Sequence, residues 1–201
     1  MVLRSPFLAI CLMILPVALH AQRIAKSGLG IMGGPQASMW RSEAEIYRPV
    51  PGFAAGVYLP IGVGRSVEIQ PDLLASLQGT AQNLADGERS SFYGLYLQMP
   101  VNAKFYWGSY VNLQAGVQGG YLLWAQADGA DVKEHLNTLD MGLNAGLGYT
   151  SYSGVDLTLR YFYGRANVLR EDQALFPTSR ALQFTVGKPL VHFSHRRLRR
   201  R

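Results

Sequence analysis

The chain has 201 residues, 48% of them hydrophobic and 16% charged, with 22 Gly and a single Cys. That length holds one domain or two very small ones; the apolar share excludes a disordered chain, and one cysteine excludes both a disulfide framework and a cysteine-based zinc site. Of the 19 Lys and Arg residues, six are Arg4 and the arginines at 196, 197, 199, 200 and 201; the remaining 13 balance 13 Asp and Glu, so the net charge of +6 sits at the chain ends and no basic face points to nucleic acid.

Residues 1–21 read as a secretory signal peptide. Arg4 supplies a positive start, Phe7 to Leu15 is an uninterrupted apolar run, and small residues follow Pro16. Cleavage after Ala21 leaves Gln22 as the first mature residue and removes Cys11, the one cysteine. The run falls short of the roughly 20 apolar residues of a helical span, and no later run reaches that length. Strands that cross a membrane need only about 9–11 residues each, and they alternate rather than run.

Period-two alternation dominates the remainder. It predicts strands at 28–40, 52–63, 67–77, 93–107, 111–123, 139–149, 155–163 and 182–187. The first two are Gly-rich and less regular. In the third, Val67, Ile69, Leu73 and Leu77 oppose Glu68, Gln70, Asp72 and Ser76. In the sixth, Leu139, Met141, Leu143, Ala145, Leu147 and Tyr149 oppose Asp140, Gly142, Asn144, Gly146 and Gly148. Connections are expected to be long near 41–51, 79–90, 125–138 and 169–178, and short at 62–65, 108–109 and 151–154. Long and short in strict alternation predicts an eight-stranded antiparallel up-and-down transmembrane β-barrel, with tight periplasmic turns and both termini on the periplasmic side.

A soluble lipocalin-type barrel alternates too, with its apolar side chains inward. The polar parity separates the two. A water-facing strand surface is rich in Lys, Glu and Arg, whereas this one is mostly Gly, Asn, Gln, Thr and Ser. Small and amide side chains suit the narrow lumen of eight strands. The opposite parity is dense in Leu, Val and aromatics, and Tyr93, Trp107, Tyr121, Tyr149 and Tyr163 fall near strand ends, where girdle aromatics sit. Glu68, Asp72, Lys104, Asp140, Asp156 and Arg160 share the polar parity and are expected to form a lumen network, since a charge taken from water needs a partner. Glu68 and Lys104 are expected at similar depth near the periplasmic end, and Asp156 and Arg160 lie four apart on one strand. The first long loop, Trp40 to Arg48, offers Trp40 and Tyr47 as candidate contacts for an external partner.

The ordered segments resemble the PorT-like outer-membrane β-barrel domain proteins of Gram-negative bacteria over about residues 28–192. The likeness rests on Gly30-Ile31-Met32-Gly33-Gly34, Gly52-Phe53-Ala54-Ala55-Gly56-Val57, Ile69-Gln70-Pro71-Asp72-Leu73-Leu74 and Tyr96-Leu97-Gln98-Met99-Pro100-Val101, followed by Gly146-Leu147-Gly148-Tyr149 and Arg160-Tyr161-Phe162-Tyr163-Gly164. It implies an outer-membrane barrel and supplies no catalytic residue; some members take part in protein secretion. One departure stands out: such barrels end on an aromatic residue, but here Phe193 precedes a basic run and Pro189 interrupts the last strand, which is therefore expected to end near Lys188. The resulting organisation is a signal peptide over 1–21, a barrel over 22–192 and a basic tail over 193–201.

Recognisable chemistry is absent from the sequence. It contains no Gly-x-Ser-x-Gly elbow, phosphate loop or His-Glu-x-x-His. His135, with Glu134 and Asp131 nearby, reads as a polar loop residue, and the pair His192 and His195 lacks a neighbouring carboxylate for a metal site. No metal or cofactor is implied. The expectation is a non-enzymatic, monomeric barrel with a filled lumen, in contact with outer-membrane lipid and with envelope or secretion proteins. The alternatives are a soluble carrier of an apolar ligand and a barrel-embedded hydrolase.

Overall fold

The computed structural model describes residues 27–42, 47–63, 65–83, 89–169 and 177–193. The signal segment, the centre of the first loop and the tail beyond Phe193 lie outside the described residues. Eight long strands make the fold: β1 (Ser27–Arg41), β2 (Val50–Tyr58), β3 (Val67–Asn83), β4 (Arg89–Trp107), β5 (Val111–Ala127), β6 (Leu139–Thr150), β7 (Asp156–Asn167) and β8 (Thr178–Phe193). Each pairs antiparallel with its neighbour in the chain, and β1 pairs with β8, so the sheet closes on itself. Three two-residue ladders are added: Tyr47–Arg48 and Ile61–Gly62 on β3, and Ala130–Asp131 on β5.

Polarity is inverted relative to a water-soluble barrel. Leu143 is 53% exposed, whereas Gln114 and Asn144 are each 4% exposed. Leu, Val and aromatic side chains stand outward on every strand, and amides, hydroxyls and ion pairs fill the axis. Such a surface is stable only against hydrocarbon, and a closed barrel is the one sheet that leaves no unpaired backbone edge there. A carrier with an apolar interior is thereby excluded.

Close packing of the lumen relies on Gly opposite large rings. Gly30 pairs directly with Tyr58 across β1 and β2, and a Cβ at Gly30 would lie 2.4 Å from the Tyr58 ring. The ring, 1% exposed, lies over the surface that the missing side chain vacates and also approaches Gly187 on β8.

The strands depart from the expected bounds in three places. β3 runs to Asn83 and β4 starts at Arg89, so most of the segment expected as a loop at 79–90 is ladder, and β5 likewise continues to Ala127. On the added part of β3 both faces are covered, Gln78, Gly79, Thr80 and Ala81 all being buried, so the alternation fades where hydrogen bonding does not. β2 stops at Tyr58, not near residue 63, and Leu59-Pro60 turns the chain before the short Ile61–Gly62 ladder. Finally, β8 does not end near Lys188 but continues to Phe193. Gly30 faces Pro189 while Leu29 faces Val191, so a bulge at Leu190 absorbs the proline. The last described strand residue is thus the half-exposed aromatic Phe193.

Candidate functional site

The lumen is built in three layers. At the end carrying the tight turns, Glu68 on β3 and Lys104 on β4 are direct cross-strand partners, with Lys104 Nζ 3.7 Å from Glu68 Oε1. Both side chains are buried, and the Tyr106 hydroxyl donates to Glu68 Oε2 at 3.2 Å. Asp156, at the start of β7, accepts a hydrogen bond from the Thr150 hydroxyl across the β6–β7 turn. Glu68, Tyr58, Tyr106, Asp156 and His192 line a cavity of about 70 Å³ at this mouth.

The second layer spans the barrel. Arg160 on β7 donates through Nη1 to Asp72 Oδ2 on β3 at 3.1 Å, and Gln70 Nε2 donates to Asp72 Oδ1 at 2.6 Å. Arg160 Nη2 reaches Gln114 Oε1 on β5 at 3.5 Å, and Gln114 Nε2 donates to Asn112 Oδ1 at 2.9 Å and to Thr158 Oγ1 at 3.2 Å. Arg160 therefore joins opposite walls rather than pairing with Asp156 on its own strand. Just outward, Gln36, Gln78, Gln98, Gln118, Asn144 and Gln183 converge from six strands and leave about 10 Å³ between them. Asn144 Nδ2 donates to Gln118 Oε1 at 3.2 Å, and Gln36 Nε2 donates to Ser76 Oγ at 2.7 Å. Amides carry both donors and acceptors, so one residue type supplies both sides of the bonds around the ring.

The outer layer is apolar. Phe92, Tyr96, Leu122 and Ala125 point inward near the long-loop end, and Leu136 and Val168 from two loops pack on them. Asn137 pins those loops together: its Nδ2 donates to Asn167 O at 2.8 Å and to Leu169 O at 3.2 Å. Trp40 is not in a loop but near the end of β1, its ring 4.6 Å from Phe92 and 5.7 Å from Tyr47. Tyr47 lies on a ladder with Gln82. Both candidate contact residues are half-buried at the lip of this cap. Asp140 is buried near the outer end of β6 and accepts a hydrogen bond from the Ser179 side chain.

Two features escaped the sequence reading. Aromatic residues on the polar parity, Phe92 and Tyr96, carried the signal for the cap and were masked by the amides around them. Arg180 lies on the outward parity of β8, level with Leu182, Phe184 and Val186, yet it is only 7% exposed. Its guanidinium carbon stands 3.7 Å from the centre of the Tyr163 ring, and Nη1 donates to Gly164 O at 2.7 Å and Ser179 O at 2.8 Å.

A closed eight-stranded ring with an apolar exterior and a polar, filled axis is a membrane-spanning β-barrel of the small outer-membrane class. The chain belongs to the outer membrane protein beta-barrel domain family, whose model matches residues 20–170. That membership assigns it to the outer membrane of a Gram-negative bacterium. No curated protein sequence matches it. Among solved structures it is similar to Neisserial surface protein A, with 16% identity, 81% of this chain and 97% of that one covered, and a TM-score of 0.57. It is also similar to Ail, the attachment invasion locus protein of Yersinia pestis, at 15% identity, 84% and 99% coverage and a TM-score of 0.49. The outer membrane enzyme PagL aligns at 12% identity over 78% of this chain and 99% of that one, with a TM-score of 0.36. At 16% identity the likeness to Neisserial surface protein A is one of fold.

Proposed function

We propose that this is a non-enzymatic outer-membrane barrel with a structural or interaction role in the cell envelope, working through its rims rather than through its interior. The observation that carries the reading is the occupied lumen: an apolar cap, an amide layer with about 10 Å³ free and two buried ion pairs lie in series along the axis. Such a barrel has no aqueous path. In this reading the 1–21 segment directs export and is cleaved after Ala21, the chain is monomeric, and its ordered segments resemble those of the PorT-like barrels, some of which take part in secretion. Its partners are lipid on the wall and an envelope or secretion protein at the rim formed by Trp40 and Tyr47 or at the periplasmic end.

The test has two arms. Purified protein reconstituted in planar bilayers should show no current steps, and it should not hydrolyse lipid or ester substrates. A photo-crosslinking residue at Tyr47 in living cells should capture one recurring envelope protein. Stepwise conductance or lipid turnover by the pure protein would defeat the proposal, and capture of lipid alone at Tyr47 would remove the interaction role.

A further inference from the structure

On three neighbouring strands the outward, hydrocarbon-facing series ends in an arginine. On β1 the series Ile31, Gly33, Pro35, Ala37, Met39 ends at Arg41; on β8 the series Val186, Phe184, Leu182 ends at Arg180; on β7 the series Leu157, Leu159, Tyr161, Tyr163 ends at Arg165. The strands are adjacent, β1 paired with β8 and β8 with β7, and the register brings the three together: Arg41 faces Thr178, and Arg180 faces Tyr163. All three lie at the long-loop end, opposite the tight turns and the described termini, which is the outer side of the membrane. Arg165 follows Tyr163, a girdle aromatic, on β7, Arg180 faces it from β8, and Arg41 lies one step beyond Met39, which faces Arg180, so the three occupy the depth of lipid headgroups.

The three arginines differ in role. Arg180 is fixed, stacked on Tyr163 and tied to two carbonyls. Arg41 and Arg165 are exposed, and among the described residues neither forms an ion pair. A cationic patch at headgroup depth with no described acid on its own face selects an anion, and the forked guanidinium suits phosphate. We propose that Arg41, Arg165 and Arg180 form a binding site on the outer rim for a phosphorylated lipid headgroup of the outer leaflet, with Tyr163 as the apolar floor that orients Arg180. A lipid supplies both halves of the match, because its chains lie on Leu182, Tyr161 and Met39 below while its phosphate meets the arginines.

The test uses the full-length protein in detergent, mixed with lipid A carrying two phosphates or with the same lipid dephosphorylated, and reads the lipid retained by native mass spectrometry. The wild type should retain the phosphorylated form selectively. The double substitution Arg41→Gln/Arg165→Gln should reduce that retention about thirtyfold, each basic group giving roughly a fivefold preference at an anionic surface. Arg48→Gln, an exposed arginine on the β3 side, should leave it unchanged, and millimolar inorganic phosphate should not displace the lipid. Equal retention of both lipid forms by the wild type would overturn the proposal without reliance on any variant. Undiminished retention by a double variant that still shows the heat-dependent gel shift of a folded barrel would overturn it too. Displacement by inorganic phosphate would reduce the patch to a site for free anions and overturn the assignment to lipid.

Discussion

Arg160 and Asp72 show what a single charge does in this barrel. Both side chains are almost wholly buried, 3.1 Å apart, and each has a further partner, Gln114 for the arginine and Gln70 for the carboxylate. Removing one partner leaves the other charged and dry, which costs about 3–5 kcal/mol, whereas replacing both with apolar groups of similar size is close to neutral. Arg160→Met should therefore lower the temperature at which the folded form collapses on denaturing gels, and Arg160→Met/Asp72→Leu should restore most of it. A second residue-scale prediction concerns Asp128, in the tight Asp128-Gly129 turn on the outer side. Asp128 has φ +47° and Gly129 φ +91°, the left-handed pair of a two-residue hairpin. Hydrogen bonds from the Ser90 hydroxyl and the Ser91 amide hold its carboxyl below the ordinary carboxylate range. The sign follows from that depression: the stabilisation is complete above the unfolded carboxylate value and is lost as pH falls through the lowered one. The protection factor of the Ser91 amide, the exchange rate divided out for its intrinsic pH dependence, should fall on acidification in the wild type and be low and pH-independent over that window in Asp128→Asn. The parity of Arg160, Asp72, Glu68 and Lys104 was legible from alternation alone. That Arg160 pairs with Asp72 and not with Asp156 was not, because it depends on how far strands β3 and β7 are staggered across the ring, a quantity with no local trace in the sequence.

At the scale of elements, glycine placement couples the strands. A side chain at Gly30 would meet the Tyr58 ring at 2.4 Å and push it from its place between β1, β2 and β8 into the mouth cavity that it lines. Gly30→Ala should cost about 1–3 kcal/mol, the usual range for overpacking. In a Tyr58→Ala background the same change should cost almost nothing, so a double-mutant cycle read by thermal unfolding gives a coupling close to the whole single-mutant effect. The eight strands were legible because hydrocarbon outside and amides inside enforce period two. Their outer ends were not, since Gln78 to Ala81 on β3 are buried on both faces, so period two no longer marks the strand there. Pro189 misled for a different reason. Its missing N–H forbids a regular ladder position, yet one extra residue, Leu190, lets β8 step over it and reach Phe193.

For the whole molecule, closure is redundant. The apolar cap at the outer end and the amide layer below it are made by different residues, and the top of the cap comes from loops rather than strands, so loss of that top leaves the amide layer intact. Leu136 and Val168 belong to the loops; Gln36, Gln98, Gln118 and Gln183 belong to the strands. The double substitution Leu136→Ala/Val168→Ala empties part of the cap, and at about 2–5 kcal/mol for each fully buried large-to-small change the two loops should separate while the ring survives. Water and small reagents would then reach the top of the amide layer but no further. A cysteine introduced at Ala125, beneath the cap, should react with a small water-soluble thiol reagent added from outside only when the cap is removed. A cysteine at Glu68, on the far side of the amide layer, should stay unreactive to the same reagent in both backgrounds when both are assayed in sealed vesicles of uniform orientation. Ion conductance of the cap-less variant in planar bilayers should remain at the background of the bare membrane. If removing the cap alone produced current steps, the amide layer would be a permeable filter, and the barrel would be a gated pore whose loops are the gate.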